Sequence, residues 1–585
     1  MKKIINSVSV LLTAIFILTM AAVLPVTAGA AEDSGEEISG GVTGDCTWNM
    51  NKDGILTISG NGRMADYDID CDALEYNYDF EKLKYTYPWN TARLSGVVVE
   101  EGVTYIGEYA FAGCVNLETV SLPESLTEIG GSAFERCTKL KKAVLPKNLK
   151  TIGDFAFEFS GIESVNLPAS IEHTGFYVFS MCDNLTDLNI EDGVTFLGYG
   201  MFEFCSSLTS VVIPDSVKTI ESDAFLFCEN LEYITFPNDL EDVQYGAFDI
   251  TAWYKNQPDG LIYIGKIAYS FKNEEKCPSF VRIKPGTAKI ADFAFGYCVN
   301  LSRVSLPEGL KEIGICAFAN CENLSEINAP DSVERVGCDA FENTKWIENQ
   351  PNGLVYFGKV LYREKEVMNK SVKITDGTVA VCEYAFYNNQ YISSVSIPDS
   401  VEYIGPQAFF FCGKLRGITL PKNLKNVEPN TFFGCTMLKK VTITEGVEKI
   451  GESAFASCEN LEQVIIPESV TEIADDAFDQ SEKVVIYGYS GSYAEAYANE
   501  NNIPFVALER KKIAGDINGD GTVDIEDATL IQKHSAKFTL DDGTPLIDES
   551  NSGETELADV NRDGVVSVSD ATAIQRYIAG LVESL

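Results

Sequence analysis

The chain is poor in positive charge and in histidine. Its 585 residues include 45 lysines and arginines against 87 aspartates and glutamates, a net charge of −42, and its two histidines are His173 and His534. A surface this acidic repels phosphate backbones, so we expect no nucleic acid partner. The sequence also lacks G-x-S-x-G, H-E-x-x-H and phosphate-loop motifs. We therefore expect a protein that is not an enzyme, with a hidden glycosidase-type carboxylate pair as the alternative.

Long apolar runs are absent after the first 30 residues. Lysines at 2–3 precede an apolar run over 8–26, and the small residues 28–30 fit a cleavage site. This arrangement is typical of a secretory signal peptide, which we assign to 1–30. A single membrane anchor is the alternative, because the apolar run is long enough to span a bilayer. We expect a secreted protein whose mature chain has no membrane span.

A sequence repeat organises most of the chain. An Ala-Phe dipeptide, or a close variant, recurs fifteen times, usually in steps of 23 residues. The phenylalanines of the series are Phe111, Phe134, Phe157, Phe179, Phe202, Phe225, Phe248, Phe295, Phe318, Phe341, Phe386, Phe409, Phe432, Phe455 and Phe478. A unit this short cannot bury its apolar side alone, so the units have to stack on one another.

The unit that begins at Phe111 shows how each repeat is built. Leu117, Val120 and Leu122 have the spacing of a short strand with one buried face. Pro123 follows, and because it has no N–H it ends the strand. The unit therefore predicts one strand, a turn and a return to the next Ala-Phe pair.

The full pattern, L-x-x-[IV]-x-[LI]-P…I-G…A-F-x-x-C, resembles the BspA-like subclass of the leucine-rich repeat family over about 96–487. The resemblance implies a mostly β solenoid of short strands, turns and short 3-10 or α segments. Such solenoids are general binding scaffolds, so the fold does not identify a ligand. The outward strand positions are small and polar, with Tyr233 as the one aromatic side chain of the regular units. The expected partner is an unidentified protein or glycan, or no partner at all.

The ends of the solenoid have to be covered. Residues 31–95, which include Trp48, predict a linker and a β cap at the N-terminus. Residues 488–512 predict a C-terminal cap and linker, with a short helix over 493–499 and a strand over 505–508.

Two islands interrupt the repeat, near 249–290 and 342–381. Their sequences are related to each other, with Trp253 matching Trp346. A bulge in the solenoid wall is the favoured interpretation, and a pair of aromatic binding knobs is the alternative.

Ten of the 16 cysteines lie three residues after a repeat phenylalanine. Ser, Thr or Asn replaces them in other units, which indicates a tight inward position rather than a disulfide framework. We expect free buried thiols there, although pairing between stacked neighbours is geometrically conceivable. Cys46 and Cys71 are the pair most suited to a disulfide bridge. No C-x-x-C pair exists, which argues against zinc.

Two acidic loops near the C-terminus have the spacing of EF-hand-like calcium sites. They are DINGDGTVDIED at 516–527 and DVNRDGVVSVSD at 559–570, and each is followed by a helical sequence. Oxygen ligands in this number favour calcium over magnesium or zinc. The predicted ligands of two calcium ions are Asp516, Asn518, Asp520, Thr522, Asp524 and Asp527 in the first loop and Asp559, Asn561, Asp563, Val565, Ser567 and Asp570 in the second.

This duplicated loop and helix, with Asp at position 12, resembles a type I dockerin over 513–585. The resemblance implies a small all-α calcium-binding domain and, as its partner, a cohesin domain of a scaffold protein. The family's recognition positions fall on Ile525, Glu526, Gln532, Lys533 and Lys537 in the first half and on Val568, Ser569, Gln575, Arg576 and Gly580 in the second. The Ile-Glu and Val-Ser pairs differ between the halves, which argues against two symmetric binding modes.

The sequence thus predicts a non-catalytic, secreted binding or adhesion subunit. It would dock through its calcium-bound dockerin onto a cohesin-bearing scaffold in a cellulosome-like assembly, extracellular or at the cell surface. The solenoid would be its interaction surface. The alternative is a polysaccharide-degrading component with a cryptic site on the solenoid.

Overall fold

The computed structural model describes residues 40–68, 85–89, 91–366, 368–509, 513–518, 522–540, 544–548, 552–582 and 584. The predicted signal peptide lies outside these ranges. The chain divides into two compact units, the first comprising Met1–Val367 and Thr378–Ala385 and the second Met368–Gly377 and Phe386–Leu585.

Nearly every repeat unit, called a coil from here on, supplies strands to two rows, and the strands that pair between adjacent coils are parallel. The first row carries the outward positions described above, and Ser210 lies opposite Tyr233 in its register. Its strands are Gly96–Val99, Thr119–Ser121, Ser164–Leu167, Asp187–Ile190, Ser210–Val212, Tyr233–Thr235, Phe280–Arg282, Arg303–Ser305, Glu326–Ile327, Ser371–Lys373, Ser394–Ser396, Gly417–Thr419, Lys440–Thr442, Gln463–Ile465, Ile486–Gly488 and Phe505–Ala507.

The second row is formed mostly by two-residue strands that end near the Ile-Gly position of each coil. Its strands are Gly62–Arg63, Val103–Ile106, Glu128–Ile129, Thr151–Ile152, His173–Thr174, Phe196–Leu197, Thr219–Ile220, Asp242–Val243, Gly260–Ile264, Ile267–Lys272, Lys289–Ile290, Glu312–Ile313, Arg335–Val336, Gly353–Phe357, Val360–Lys365, Ala380–Val381, Tyr403–Ile404, Asn426–Val427, Lys449–Ile450 and Glu472–Ile473. The predicted β solenoid is confirmed.

A ladder of stacked phenylalanines forms the core between the rows. The rings of Phe134 and Phe157 lie 5.1 Å apart at 8°, and those of Phe432 and Phe455 lie 5.3 Å apart at 1°. The repeat phenylalanines are buried. One ring per coil therefore gives an apolar stack within each run of regular coils, which is why the Ala-Phe pair is the strongest signal in the sequence.

A small β sheet covers the N-terminal end of this ladder. Strands Gly40–Thr43, Cys46–Met50 and Ile55–Gly60 are antiparallel, and the last pairs in parallel with Gly96–Val99. Trp89 stacks on Phe111 with 5.4 Å between ring centroids. The predicted N-terminal β cap is therefore present.

The described cysteines are free thiols, as predicted for the repeat positions. Burial is the largest cause that raises the pKa of the Cys137 thiol well above its usual value. The expected Cys46–Cys71 bridge is wrong for Cys46, which is a buried free thiol with its Sγ 3.8 Å from the carbonyl oxygen of Gly62. Strand pairing places Cys46 opposite Gly60. Cys71 lies outside the described residues.

Each island consists of one helical turn and a hairpin that joins the second strand row. Helix α1 spans Ala252–Asn256 and helix α2 spans Lys345–Glu348, and a 3-10 segment spans Glu274–Lys276. Trp253 packs 5.7 Å from Phe248, and Trp346 packs 4.5 Å from Phe341. The half-buried tryptophans thus pack against the core, which supports the interpretation of a bulge in the solenoid wall. The alternative of aromatic binding knobs stays a prediction.

A helix and a strand follow the last coil of the second unit. Helix α3 spans Tyr493–Glu500, and the Oγ of Ser492 accepts the N–H of Glu495 at its start. Strand Phe505–Ala507 pairs in parallel with Ile486–Gly488. These two elements close the phenylalanine ladder, because Tyr497 lies 6.1 Å from Phe478. The predicted C-terminal helix and strand are confirmed.

The C-terminal module is helical. Helix α4 spans Ile525–Ser535, α5 spans Ser552–Ala558 and α6 spans Val568–Ile578. Its core is small and separate, and it consists of Ala528, Ile531, Ile547, Ala558, Val560, Val566, Ala571 and Ile574. The predicted small all-α domain is confirmed.

Candidate functional site

Both principal helices of the C-terminal module begin with a capping box built from the acidic loops. Asp524 caps α4 and Asp527 completes the box, while Ser567 and Asp570 do the same for α6. Such caps contribute about 1 kcal/mol each. Position 12 of each loop is therefore also the third residue of a helix. At that position the aspartate side chain can accept the backbone N–H of the capping residue.

Each position-12 aspartate ties its loop to its helix. The Oδ1 atom of Asp527 accepts the N–H groups of Ile517 and Asn518, at 2.7 and 3.1 Å. In the second loop, Oδ1 of Asp570 accepts the N–H of Asn561 at 3.2 Å. Both aspartates are fully buried. One carboxylate thus accepts hydrogen bonds from residues near both the beginning and the end of each loop.

The second loop is described throughout. Oδ1 and Oδ2 of Asp559 accept the N–H groups of Asp563 and Gly564, at 3.0 and 2.8 Å. Oδ1 of Asp563 accepts the N–H of Val565 at 3.0 Å. Gly564 has a φ of 88°, a conformation that favours glycine at this sharp turn.

In the first loop Asp516 is buried, and Asp520 lies outside the described residues. Among the described residues, no three acidic, histidine or cysteine side chains are gathered closely enough to hold a metal, and the carboxylates accept backbone N–H groups instead. The carboxylate, amide and hydroxyl oxygen atoms of the two loops nevertheless suit a hard cation as ligands. Asp527 and Asp570 are buried without a lysine or arginine partner in the described ranges, and an unpaired buried charge is costly. The ligand set stays a prediction.

The predicted recognition residues lie on α4 and α6 or directly after them. Nine of the ten are exposed, and Gln575 is half-buried. Ile525 and Val568, each the first residue of its helix, expose 56% and 54% of their surface. The residues 43 positions apart thus occupy equivalent places in the two halves.

Two exposed apolar residues were missed by the sequence reasoning. Phe538 and Leu581 are 61% and 69% exposed. Each follows a residue in the left-handed region, Lys537 at φ 61° and Gly580 at φ 68°. Their N–H groups donate to the carbonyls of residues 533 and 576, at 3.0 and 2.8 Å, which closes both helices in the same way. Phe538 and Leu581 are separated by 43 residues, as the two loops are. Alignment of the two halves could therefore have identified this pair from the sequence.

The solenoid offers a second set of surfaces. Most of the predicted outward residues of the first strand row are exposed, and the others are half-buried. A cavity of about 700 Å³ lies on this face between Thr119 and Lys142, and one of about 400 Å³ lies beside Gly417. Threonine and lysine side chains line most of the first opening, and small polar and aliphatic side chains line most of the second. Among the described residues, no aromatic side chain lines either opening.

Family models match both parts of the chain. The model for the BspA type leucine rich repeat region (6 copies) matches 84–209, 132–252, 197–278, 254–350 and 355–485. The chain belongs to the BspA-type leucine-rich repeat family. The model for the dockerin type I domain matches 514–579, so this leucine-rich repeat protein carries a C-terminal type I dockerin. Type I dockerins are calcium-binding domains that dock onto cohesins.

Similar solved structures are leucine-rich repeat and surface proteins of bacteria. A leucine-rich repeat protein from Bacteroides ovatus is 22% identical, with 76% of this chain and 98% of that chain covered and a TM-score of 0.29. A leucine rich cell surface protein from Faecalibacterium prausnitzii is 24% identical, with 79% and 97% covered and a TM-score of 0.25. The pneumococcal vaccine antigen PcpA is 17% identical, with 80% and 99% covered and a TM-score of 0.28. No curated protein matches the chain.

None of the helices that the structure describes combines the length and apolar composition needed to cross a membrane. The family matches include no catalytic domain.

Proposed function

We propose that this leucine-rich repeat protein is a secreted, non-catalytic binding subunit that docks onto a cohesin-bearing scaffold. The dockerin would carry two calcium ions, one in each loop, and the solenoid would present the interaction surface. Such a protein would act outside the cell or at the cell surface, in a cellulosome-like assembly.

One observation carries the proposal: α4 and α6 are capped by the predicted calcium loops and present equivalent exposed residues. The capping carboxylates Asp527 and Asp570 fix where each helix begins. Calcium would neutralise the loop carboxylates when bound, and the chain's own part is to orient the helices that carry Ile525 and Val568. Metal binding is thereby coupled to the shape of the docking surface.

The proposed organisation follows the same division. Residues 1–30 would be removed as a signal peptide, 31–95 would form the linker and N-terminal cap, and 96–487 the solenoid. Residues 488–512 would form the second cap and linker, and 513–585 the dockerin.

Capture on an immobilised type I cohesin tests the proposal. We expect the full chain to be retained in calcium and released by EDTA. A double substitution, Asp516→Ala with Asp559→Ala, should abolish retention without changing solenoid stability, because the solenoid has its own core. Retention that is independent of calcium would contradict the proposal.

A second candidate, a glycan-active site, has one supporting observation. Burial, with a smaller contribution from neighbouring carboxylates, raises the pKa of both Glu158 and Glu203 to about 8. A carboxylic acid that stays protonated near neutral pH is what general acid catalysis of glycoside cleavage requires. Release of reducing sugar from plant polysaccharides, lost in Glu203→Gln, would favour this candidate, and no release by the wild-type chain would remove it.

A further inference from the structure

The first strand row is interrupted in the first unit, because the coil at 142–145 does not form a strand. Strand Thr119–Ser121 precedes this coil and strand Ser164–Leu167 follows it. The coil contacts each of them through one isolated bridge, at Ala143 and at Lys142 respectively. Alanine and lysine are depleted in strands, which explains the poor pairing. A cavity of about 700 Å³ opens at this interruption.

A backbone hydrogen bond of the regular coils is missing beside the cavity. In a regular coil, the N–H of Glu232 donates to the carbonyl oxygen of Thr209 at 3.0 Å. Lys141 and Glu118 hold the equivalent positions, and no such bond joins them in the described part of the chain. Fewer backbone hydrogen bonds therefore join the two coils at this point, which accounts for the opening between them.

Lysine is concentrated in this coil. The segment 137–150 contains five lysines and no acidic residue, in a chain whose net charge is −42. Three of these lysines, Lys139, Lys141 and Lys142, line the cavity, and Glu118 is the one acidic side chain among its described lining residues. A cleft lined mostly by one sign of charge concentrates ions of the opposite sign. The cavity therefore attracts anions, although the chain as a whole repels them.

The lysines of the cavity are only partly neutralised. Nζ of Lys141 lies 2.9 Å from Oε1 of Glu163, in an exposed ion pair. Nζ of Lys139 donates to Oδ1 of Asn116 at 2.9 Å, and this amide carries no charge. Lys142 is exposed and makes no ion pair with a described residue. Two ammonium groups are thus left to balance the charge of a ligand.

A carboxylated polysaccharide matches these groups. Lysine ammonium groups bind anionic oxygens as point charges on flexible stems. Thr119 and Thr138 also line the cavity, and their hydroxyls can bond the hydroxyls of a sugar. A uronic acid residue presents both a carboxylate and hydroxyls on one ring.

An acidic peptide suits the cavity less well. Peptides are recognised by addition to a strand edge, by apolar or aromatic grooves, or by clusters of arginine. The described lining residues include no aromatic side chain and no arginine, and strand Thr119–Ser121 is already bridged to the coil at 142–145. Lysine is also depleted in protein interfaces.

We propose that the cavity at Lys139 and Lys142 binds a uronic acid residue of a carboxylated polysaccharide. The two ammonium groups would hold the carboxylate, and Thr119 and Thr138 would bond the sugar hydroxyls. The inference rests on the proposed function, because it names the ligand class of the solenoid surface.

Lys414 and Lys440 provide a matched control. In later coils, Lys414 holds the position of Lys139 and Lys440 that of Lys142, and both are exposed. Lys440 lines the cavity of about 400 Å³, together with Asp399, which offsets its charge. Substituting this pair removes the same charge from equivalent positions and leaves the proposed site intact.

Capture of the full chain on immobilised polymers tests the site. The beads carry polygalacturonate, neutral galactomannan or polyglutamate. The buffer is low in salt and contains EDTA, which prevents calcium from bridging the acidic chain to an acidic polymer. The test variant is Lys139→Gln with Lys142→Gln, and the control variant is Lys414→Gln with Lys440→Gln.

We expect polygalacturonate to capture the wild-type chain and the control variant equally, and galactomannan to capture neither. The apparent affinity of the test variant should fall at least about tenfold at an unchanged Tm, and added salt should weaken wild-type binding. Equal capture of the test variant, or no capture of the wild type, would overturn the proposal. Equally strong capture by polyglutamate would overturn it in favour of an acidic peptide. Cohesin capture of the same samples in calcium reports separately whether the docking proposal stands.

Discussion

Cys137 donates its thiol hydrogen to the carbonyl oxygen of Phe111 in the preceding coil, over 3.2 Å. That carbonyl also accepts the backbone N–H of Cys114 at 3.1 Å, so the thiol fills its second acceptor position. In a later coil the hydroxyl of Ser481 makes the same bond to Phe455 at 2.8 Å. The repeat cysteine is thus a small buried donor, which explains why serine replaces it.

Removing this donor should destabilise the solenoid. Cys137→Val leaves one acceptor position of a buried carbonyl unfilled, and we expect a loss of about 1–2 kcal/mol in the free energy of unfolding. Cys137→Ser keeps a donor and should lose less. Denaturant unfolding of the two variants measures the difference, and a serine variant less stable than the valine variant would contradict this role.

Replacement of Thr344 should destabilise the fold, because its hydroxyl makes two hydrogen bonds at the start of the second island. It donates to the carbonyl of Phe341 at 2.7 Å and accepts the N–H of Ile347 at 3.3 Å, which caps α2. Thr344→Val should therefore cost about 1–2 kcal/mol of unfolding free energy. The exposed Thr419→Val serves as a control and should change it by less than about 0.5 kcal/mol. Equal effects at the two sites would refute the double role.

Stability should fall as pH rises where Glu203 titrates. Burial is the main cause that raises its pKa from 4.5 to about 8, so the folded state favours the protonated acid. Its contribution is present below about pH 4.5 and is lost as pH approaches 8. We expect Glu203→Gln to match the wild-type Tm at pH 4 and to exceed it at pH 8.

Glu191 supplies the control of opposite sign. The hydrogen bond from Asn166 is the largest cause that lowers its pKa, so its contribution is present at neutral pH and is lost as acid protonates it. Glu191→Gln should thus reduce Tm at pH 7 and have little effect at acid pH. Curves of Tm against pH with the same sign for both variants would show that the environments of these carboxylates are misassigned.

The sequence predicted the coils because the same motif recurs about every 23 residues. It predicted both acidic loops because each one contains the residue types that the calcium-loop motif requires at its ligand positions. Trp253 illustrates what the pattern leaves open. Its partial burial depends on α1 folding back against Phe248, and the direction of that turn is set by tertiary packing.

The exposure of Phe411 was equally hidden from the sequence. An alternating pattern shows which residues of a strand face outward, but Phe411 lies in a turn. Its exposure depends on a positive φ and on the missing side chain of Gly434, 23 residues later. The sequence shows that Thr251 and Thr344 replace the repeat cysteine. Only the structure shows that these threonines cap helices.

The two halves of the dockerin should contribute unequally to docking. The first helix begins with Ile525 and Glu526 and the second with Val568 and Ser569, so the two surfaces differ in charge and volume. We expect alanine pairs at 525–526 and at 568–569 to reduce affinity for one cohesin by amounts that differ at least about tenfold. Equal losses, or no loss from either pair alone, would show two interchangeable binding modes.

Calorimetric titration of the full chain with a type I cohesin tests the central claim most directly. In calcium, the account predicts a saturable one-to-one complex, because the loop carboxylates then hold α4 and α6 in one orientation. In EDTA it predicts no measurable heat of binding, with recovery when calcium is restored. Binding of the same affinity in EDTA, or no binding to any type I cohesin in calcium, would contradict it.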